Sequence, residues 1–153
     1  MNNLPEGIEY EIEEMAIHHY DDAIRLWGES DGIGISGADS RESISSFLEM
    51  NRGLCFVAVK GNRVIGTSLC GSDGRRGYLH HLAVEKEYRF RGIGKALAKK
   101  SLGALSSMGI DKCHIHVFEK NKDGILFWQK TGWLERSDLV VLSYIVKNDN
   151  TEK

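Results

Sequence analysis

At 153 residues the chain has the length of one domain and is too short for two independent cores. A hydrophobic share of 41%, a charged share of 27% and a formal charge of −2 describe an ordinary globular protein and argue against a nucleic-acid or polyanion surface. No apolar run approaches the roughly 18 residues of a membrane span, and Met1-Asn2-Asn3-Leu4-Pro5-Glu6 lacks the basic start and apolar run of a signal peptide, so a cytoplasmic location is expected.

Ile8 to Ile17 alternates apolar with charged residues and predicts an edge strand. Tyr20, Ala23, Ile24 and Trp27 then fall at helical spacing, with Asp21 and Asp22 suiting the first turn. Three glycines between Asp31 and Gly37 predict a loop. Its Ile33 and Ile35 read equally as a flap over a substrate or as plugs at the core edge. Asp39-Ser40-Arg41-Glu42 reads as a capping box with Asp39 as N-cap, opening a helix with Ile44, Phe47 and Leu48 on its apolar stripe.

Leu54–Val59 and Val64–Cys70 read as strands joined by a Gly61-Asn62 hairpin turn. A glycine-rich loop leads into a strand from Tyr78 to Val84. After Gly92 a helix runs to about Met108 and is ended by Gly109. Lys112–Phe118 is a further strand and Asn121–Lys130 a short helix stopped at Gly132. Trp133–Asp138 and Leu139–Lys147 read as two late strands. Residues 1–147 form one domain, and Asn148–Lys153 reads as a disordered polar tail. The order of elements argues for a mixed sheet covered by helices, an α/β (α+β) fold. Cys55, Cys70 and Cys113 are odd in number, form no Cys-x-x-Cys pair and read as small buried residues in a reducing compartment. The six histidines show no zinc spacing, and no metal is expected.

The segment Tyr88-Arg89-Phe90-Arg91-Gly92-Ile93-Gly94-Lys95-Ala96-Leu97 lies between a strand and a helix. Free N–H groups at a helix start, the helix dipole, close backbone approach at glycine and three cations together favour an anion. A dinucleotide fingerprint requires a small residue where Leu97 stands. A nucleoside-triphosphate loop requires Ser or Thr where Ala96 stands and glycine where Arg89 stands.

Arg89-x-x-Gly92-x-Gly94, directly after Leu82-Ala83-Val84, resembles the acyl-CoA loop of the GCN5-related N-acetyltransferase (GNAT) superfamily. Asn121 through Gly132-Trp133 resembles that family's second signature, and the element order agrees over nearly the whole chain. The resemblance implies a mostly antiparallel twisted sheet of about seven strands with about four helices, splayed between the strands at 78–84 and 112–118. It implies acetyl-CoA as acyl donor, contacted by Leu82, Ala83, Val84, Arg89, Phe90, Arg91, Gly92, Ile93, Gly94, Lys95, Ala96, Asn121 and Trp128. The pantetheine arm would pair with the open strand edge.

The implied reaction is direct attack by a primary amine of a small molecule or peptide, which must first lose a proton. By period two, Tyr78, His80, Leu82 and Val84 share one strand face and His81 points to the other. In arylalkylamine N-acetyltransferases, histidines occupy the positions of Tyr78 and His80, which makes His80 the first candidate base; Glu85 is a lesser one. The family's usual acid, a tyrosine four residues before the glycine of the second signature, is replaced by Trp128. An indole N–H can donate to sulfur but is no practical acid. Tyr78 and Tyr144 are alternative hydroxyls, with nothing in the sequence placing either near sulfur. Ile33, Ile35 and Tyr78 are candidate acceptor contacts. The resemblance also allows a homodimer, and the missing tyrosine keeps a non-catalytic acyl-CoA-binding regulatory module as the alternative.

Overall fold

The computed structural model describes residues 8–147; the first residues and the expected tail at 148–153 lie outside that range. Five strands form one sheet in chain order: β1 (Glu11–Glu14), β2 (Phe56–Lys60), β3 (Arg63–Ser72), β4 (Gly77–Val84) and β5 (Cys113–Ile115). The first four pair antiparallel, and β4 pairs parallel with β5. Four helices cover the sheet: α1 (Tyr20–Gly28), α2 (Arg41–Met50), α3 (Ile93–Ser107) and α4 (Lys122–Lys130).

β3 lies at the centre and is buried along nearly its whole length, as a strand covered on both faces must be. On one face Trp27 and Leu26 of α1 and Ile44 of α2 pack on Val57, Val64, Leu69 and Ala83. Trp27 is the anchor. Its indole N–H donates to Thr67 Oγ1 at 2.9 Å, and that hydroxyl donates to the His81 carbonyl at 2.7 Å. Truncating so buried a ring costs about 3–5 kcal/mol. On the other face α3 supplies Ile93, Leu97, Ala98 and Leu105, with Trp128 of α4 joining Leu79 and Cys70.

The helix ends follow their capping residues. Gly61 takes φ 62° in the β2–β3 turn. Gly109 takes φ 82° after α3 while the Ile110 N–H returns to the Leu105 carbonyl, a glycine-ended helix. The α2 cap differs from the expected one. Ser40, not Asp39, accepts from the third-residue N–H (Ser43), which leaves the Asp39 carboxylate for other partners.

Two corrections concern strands. Among the described residues the sheet has five strands, not about seven: 133–138 and 139–147 form no ladder and remain largely exposed. β4 also departs from simple alternation. Its register with β3 shifts between Thr67 and Leu69, where His81 and Leu82 together oppose Ser68, and His81 carries φ 45°. That is a β-bulge, and it reverses which face later residues take.

Candidate active site

The bulge decides where the β4 side chains point. Leu79, before it, and Leu82 and Val84, after it, pack on the α3 side. His80 packs edge-on against Phe47 of α2 at 6.1 Å, and His81 lies 4.8 Å from the Trp27 ring of α1. The expectation that His80 shares a face with Leu82 and Val84, opposite His81, is therefore overturned: both histidines face the α1–α2 side. A residue inserted at positive φ turns the strand by one position.

β5 meets β4 only at Gly77–Cys113, Tyr78–His114 and Leu79–Ile115. Beyond Leu79 the two strands separate, so β4 from His80 to Val84 presents an open edge toward β5. Tyr78 and His114 sit with ring centroids 5.9 Å apart where the cleft closes. His80 is solvent-accessible at its mouth. Desolvation by the cleft walls, then the neighbouring His81 and His116, pull the His80 pKa below the ordinary histidine value, with Asp39 opposing. The ring is thus neutral at pH 7, the state a base requires.

The open edge runs into the loop before α3. Phe90 is fully exposed at φ 65°, and Gly92 is the α3 N-cap at φ 83°, a conformation costly for any residue with a Cβ. The Ala96 N–H bonds back to the Gly92 carbonyl, whereas the N–H groups of Arg91 through Lys95 meet no protein acceptor among the described residues. Arg89 plays a supporting part: its Nε donates to the Val84 carbonyl at 2.9 Å and ties the loop to the end of β4. Ile93 is buried under the sheet, so only its backbone is offered to a ligand. Gly94 packs near Val84, Leu82 and Phe127, bringing the helix start close to the edge.

The flap spans the opposite side. Ile33 packs into the core with Trp27, while Ile35 is about half exposed at 49%. A Cβ on Gly34 would stand 3.1 Å from the Phe118 ring, and one on Gly32 would stand 2.6 Å from Asn121 Nδ2. The flap therefore lies directly on the β5–α4 segment. Asn121 Oδ1 accepts from the Gly124 N–H at 3.0 Å and caps α4. Asp39 anchors the flap base: Oδ1 accepts from His81 Nε2 at 2.7 Å, Oδ2 accepts from the Ser36 N–H at 3.0 Å, and the Asp39 carbonyl accepts from the Tyr20 hydroxyl at 2.6 Å. Sequence reading missed this Asp39–His81 pair, because Asp39 fitted a capping pattern and His81 was assigned to the far face.

Glu85, Cys55 and His19 are engaged elsewhere. Glu85 is buried at the end of β4, and Arg63 grips both its oxygens while Arg25 approaches at 3.5 Å. Arg63 first, then Arg25, hold its pKa below the usual carboxylate range, so it is a weaker base than His80. Burial pushes the Cys55 thiol up to about 11, far from a reactive thiolate. Glu13, His18 and His19 are the one grouping with metal-ligand spacing among the described residues. His19 spends both nitrogens there, accepting from the Ala16 N–H and bonding Glu13, which explains the group without an ion.

Comparison with known proteins decides the family. The model of the acetyltransferase (GNAT) family matches residues 11–133. The chain belongs to the GNAT acetyltransferase family. A Photorhabdus laumondii acetyltransferase is 32% identical over 117 residues, covering 76% of this chain and 81% of the relative. Xenopus laevis N-alpha-acetyltransferase 30 is 33% identical over 86 residues, covering 53% of this chain and 32% of the relative, so the match is to about a third of that longer protein. Among solved structures, the PaiA N-acetyltransferase of Thermoplasma acidophilum in complex with coenzyme A superposes with a TM-score of 0.73. It is 22% identical, over 81% of this chain and 89% of that one.

Within the GNAT frame the second signature is the departure. Trp128 is 7% exposed and packs with ring centroids 5.0 Å from Phe127 and 4.9 Å from Trp133. It is first a core residue. Its Nε1–H has no acceptor among the described residues, so it can still donate to a ligand atom. No helix among the described residues is long and apolar enough to cross a membrane.

Proposed function

We propose that this GNAT protein transfers an acetyl group from acetyl-CoA to a primary amine of a small molecule or peptide, by direct attack in a ternary complex. The observation that carries the reading is the open β4 edge running into the unpartnered N–H groups of the α3 start. The residues suit the donor in kind: an extended edge for the amide-bearing pantetheine arm, then backbone N–H groups, Arg91 and Lys95 for its phosphates. When bound, acetyl-CoA supplies the activated acyl group.

The chain's own residues supply the rest. His80, neutral at pH 7, takes the proton from the incoming ammonium, directly or through water. The flap held by Asp39 and seated on Phe118 forms the acceptor wall. Trp128 offers its indole N–H toward sulfur. The thiol leaves as thiolate or takes its proton from water, because a thiol with a pKa near ~8.5 needs little acid assistance.

The replacement of the usual tyrosine by Trp128 favours a second reading, a CoA-binding module without turnover. Thiol release measured with acetyl-CoA and a panel of small amines and peptide N-termini separates the two. Amine-dependent release supports the transferase. Thermal stabilisation by CoA with no release on any amine supports the module and sinks the first reading.

A further inference from the structure

Asp39 and His81 tie the base of the flap to the bulge of β4. The pair is enclosed, with side chains 8% and 18% exposed, and His81 Nε2 donates to Asp39 Oδ1 at 2.7 Å. A carboxylate so enclosed is costly unless its oxygens keep partners. The short turn at Gly37–Asp39 uses only Oδ2, which accepts from the Ser36 N–H at 3.0 Å. Ser40 caps α2, so that helix asks nothing of Asp39. Local structure therefore explains one oxygen, and the other is committed to a histidine 42 positions away in sequence.

The histidine end is held as firmly. His81 stands at φ 45°, a region that favours glycine, and such backbone persists only where its surroundings over-determine it. Here the Thr67 hydroxyl donates to its carbonyl, Trp27 donates to Thr67 and packs on its ring, and Asp39 takes its Nε2–H. This bulge is what sets His80 on the flap side, against Phe47, while Leu82 and Val84 keep to the α3 side. The titratable groups that act on His80 are His81 beside it, His116 from the β5 side and Asp39 from the flap. After desolvation, the two histidines disfavour a proton on His80, and Asp39 opposes them.

We propose that Asp39 and His81 form a positioning pair for the transfer: they hold the bulge that directs His80, place a carboxylate to balance the charge His80 gains from the acceptor, and fix the flap through Ser36. The inference rests on the transferase reading with His80 as base. Neither residue touches the reacting atoms. One bond instead keeps the base and the acceptor wall in register, so a fault in either end disturbs both.

The test uses the full chain with Asp39→Asn and, separately, His81→Asn, which keeps a residue suited to positive φ. Either change is expected to lower kcat with amine by about 10- to 100-fold, as a displaced base does, with KM for acetyl-CoA nearly unchanged. Two readings need no turnover. Followed by nuclear magnetic resonance in the CoA-bound protein, His80 is expected to titrate at lower pH in Asp39→Asn, which loses the charge that favours its proton. It is expected to titrate at higher pH in His81→Asn, which loses a group that disfavours it. Hydrogen exchange at the Ser36 amide is expected to quicken by about tenfold in both, and a merely structural role would not give the opposed titration shifts. If one variant does not fold, the other decides. An unmoved His80 titration, unchanged Ser36 protection, or wild-type kcat would each overturn the proposal. Wild-type protein that releases no thiol with any amine would instead sink the transferase reading, whatever the titration shows.

Discussion

His80 meets two requirements at once: it stands at the mouth of the β4–β5 cleft, and its surroundings keep it uncharged where an alkylammonium is still protonated. A base whose pKa lies below the ordinary 6.5 works across the neutral range and fails only as pH falls through its own value. His80→Asn is therefore expected to slow kcat/KM by about 10²-fold at neutral pH, the low end of general-base contributions. The deficit should shrink toward pH 10, where the amine deprotonates unaided. A pH–rate profile parallel to the wild type would remove His80 from the role. Its position on the strand was legible in the sequence; its direction was not. Counting by two fails at a bulge, and this bulge is formed by a histidine at φ 45°, with no glycine to mark it. The same gap hid Asp39, whose carboxylate binds His81 and Ser36 while Ser40 does the capping.

At the scale of elements, the flap and the β5–α4 segment touch through glycines. Gly34 has an ordinary backbone but no room: a side chain there meets the Phe118 ring. Gly34→Val is expected to lift the flap while leaving the α3 loop intact. It should raise KM for the amine about fivefold, equivalent to about 1 kcal/mol of displaced contact, with KM for acetyl-CoA nearly unchanged. Equal rises in both constants would show that the flap does not belong to the acceptor side. Glycine content alone placed this loop, but its seat on Phe118 and Asn121 is a tertiary fact. α1 and α3 were readable because their apolar stripes and terminal glycines lie within the segment that folds. The segments 133–138 and 139–147 have the composition of strands without being paired, because a strand exists only through its neighbour. Local sequence therefore predicts the tendency and not the ladder.

For the whole molecule, one ionic knot joins α1 to the start of β3 and the end of β4. Asp22 accepts from the Val64 N–H at 2.6 Å and Arg25 donates to the Val64 carbonyl at 3.0 Å, so α1 side chains satisfy β3 backbone beside the Ala58–Val59 register shift. Arg25 also bonds Asp22, and with Arg63 it faces Glu85. The knot's pH dependence has a definite sign. Asp22 and Glu85 both have folded-state pKa values below their unfolded values of 3.8 and 4.5. For Asp22 the desolvation cost is outweighed by Arg25 and the Val64 N–H; for Glu85 the bonds from Arg63 dominate. In the window between folded and unfolded pKa the unfolded chain binds more protons, so this stability is complete above about pH 5 and drains away as pH falls through the folded values. His80 adds the same sign at higher pH, since the unfolded chain takes up its proton first as pH drops below 6.5. Glu85→Gln keeps the size and removes the charge. It is expected to cost about 1–2 kcal/mol at pH 7, less than a fully buried pair because Arg63 is half exposed and solvent screens it. Thermal unfolding at pH 7 and again near pH 3 provides the measurement. The gap between wild type and Glu85→Gln should narrow in acid, because below its ordinary 4.5 the Glu85 carboxyl takes up a proton in the unfolded chain and the advantage of the folded carboxylate drains away. A gap equally wide at both pH values would mean that Glu85 holds β4 by packing and neutral hydrogen bonding, and that the charge contributes nothing to closing the sheet around the cleft.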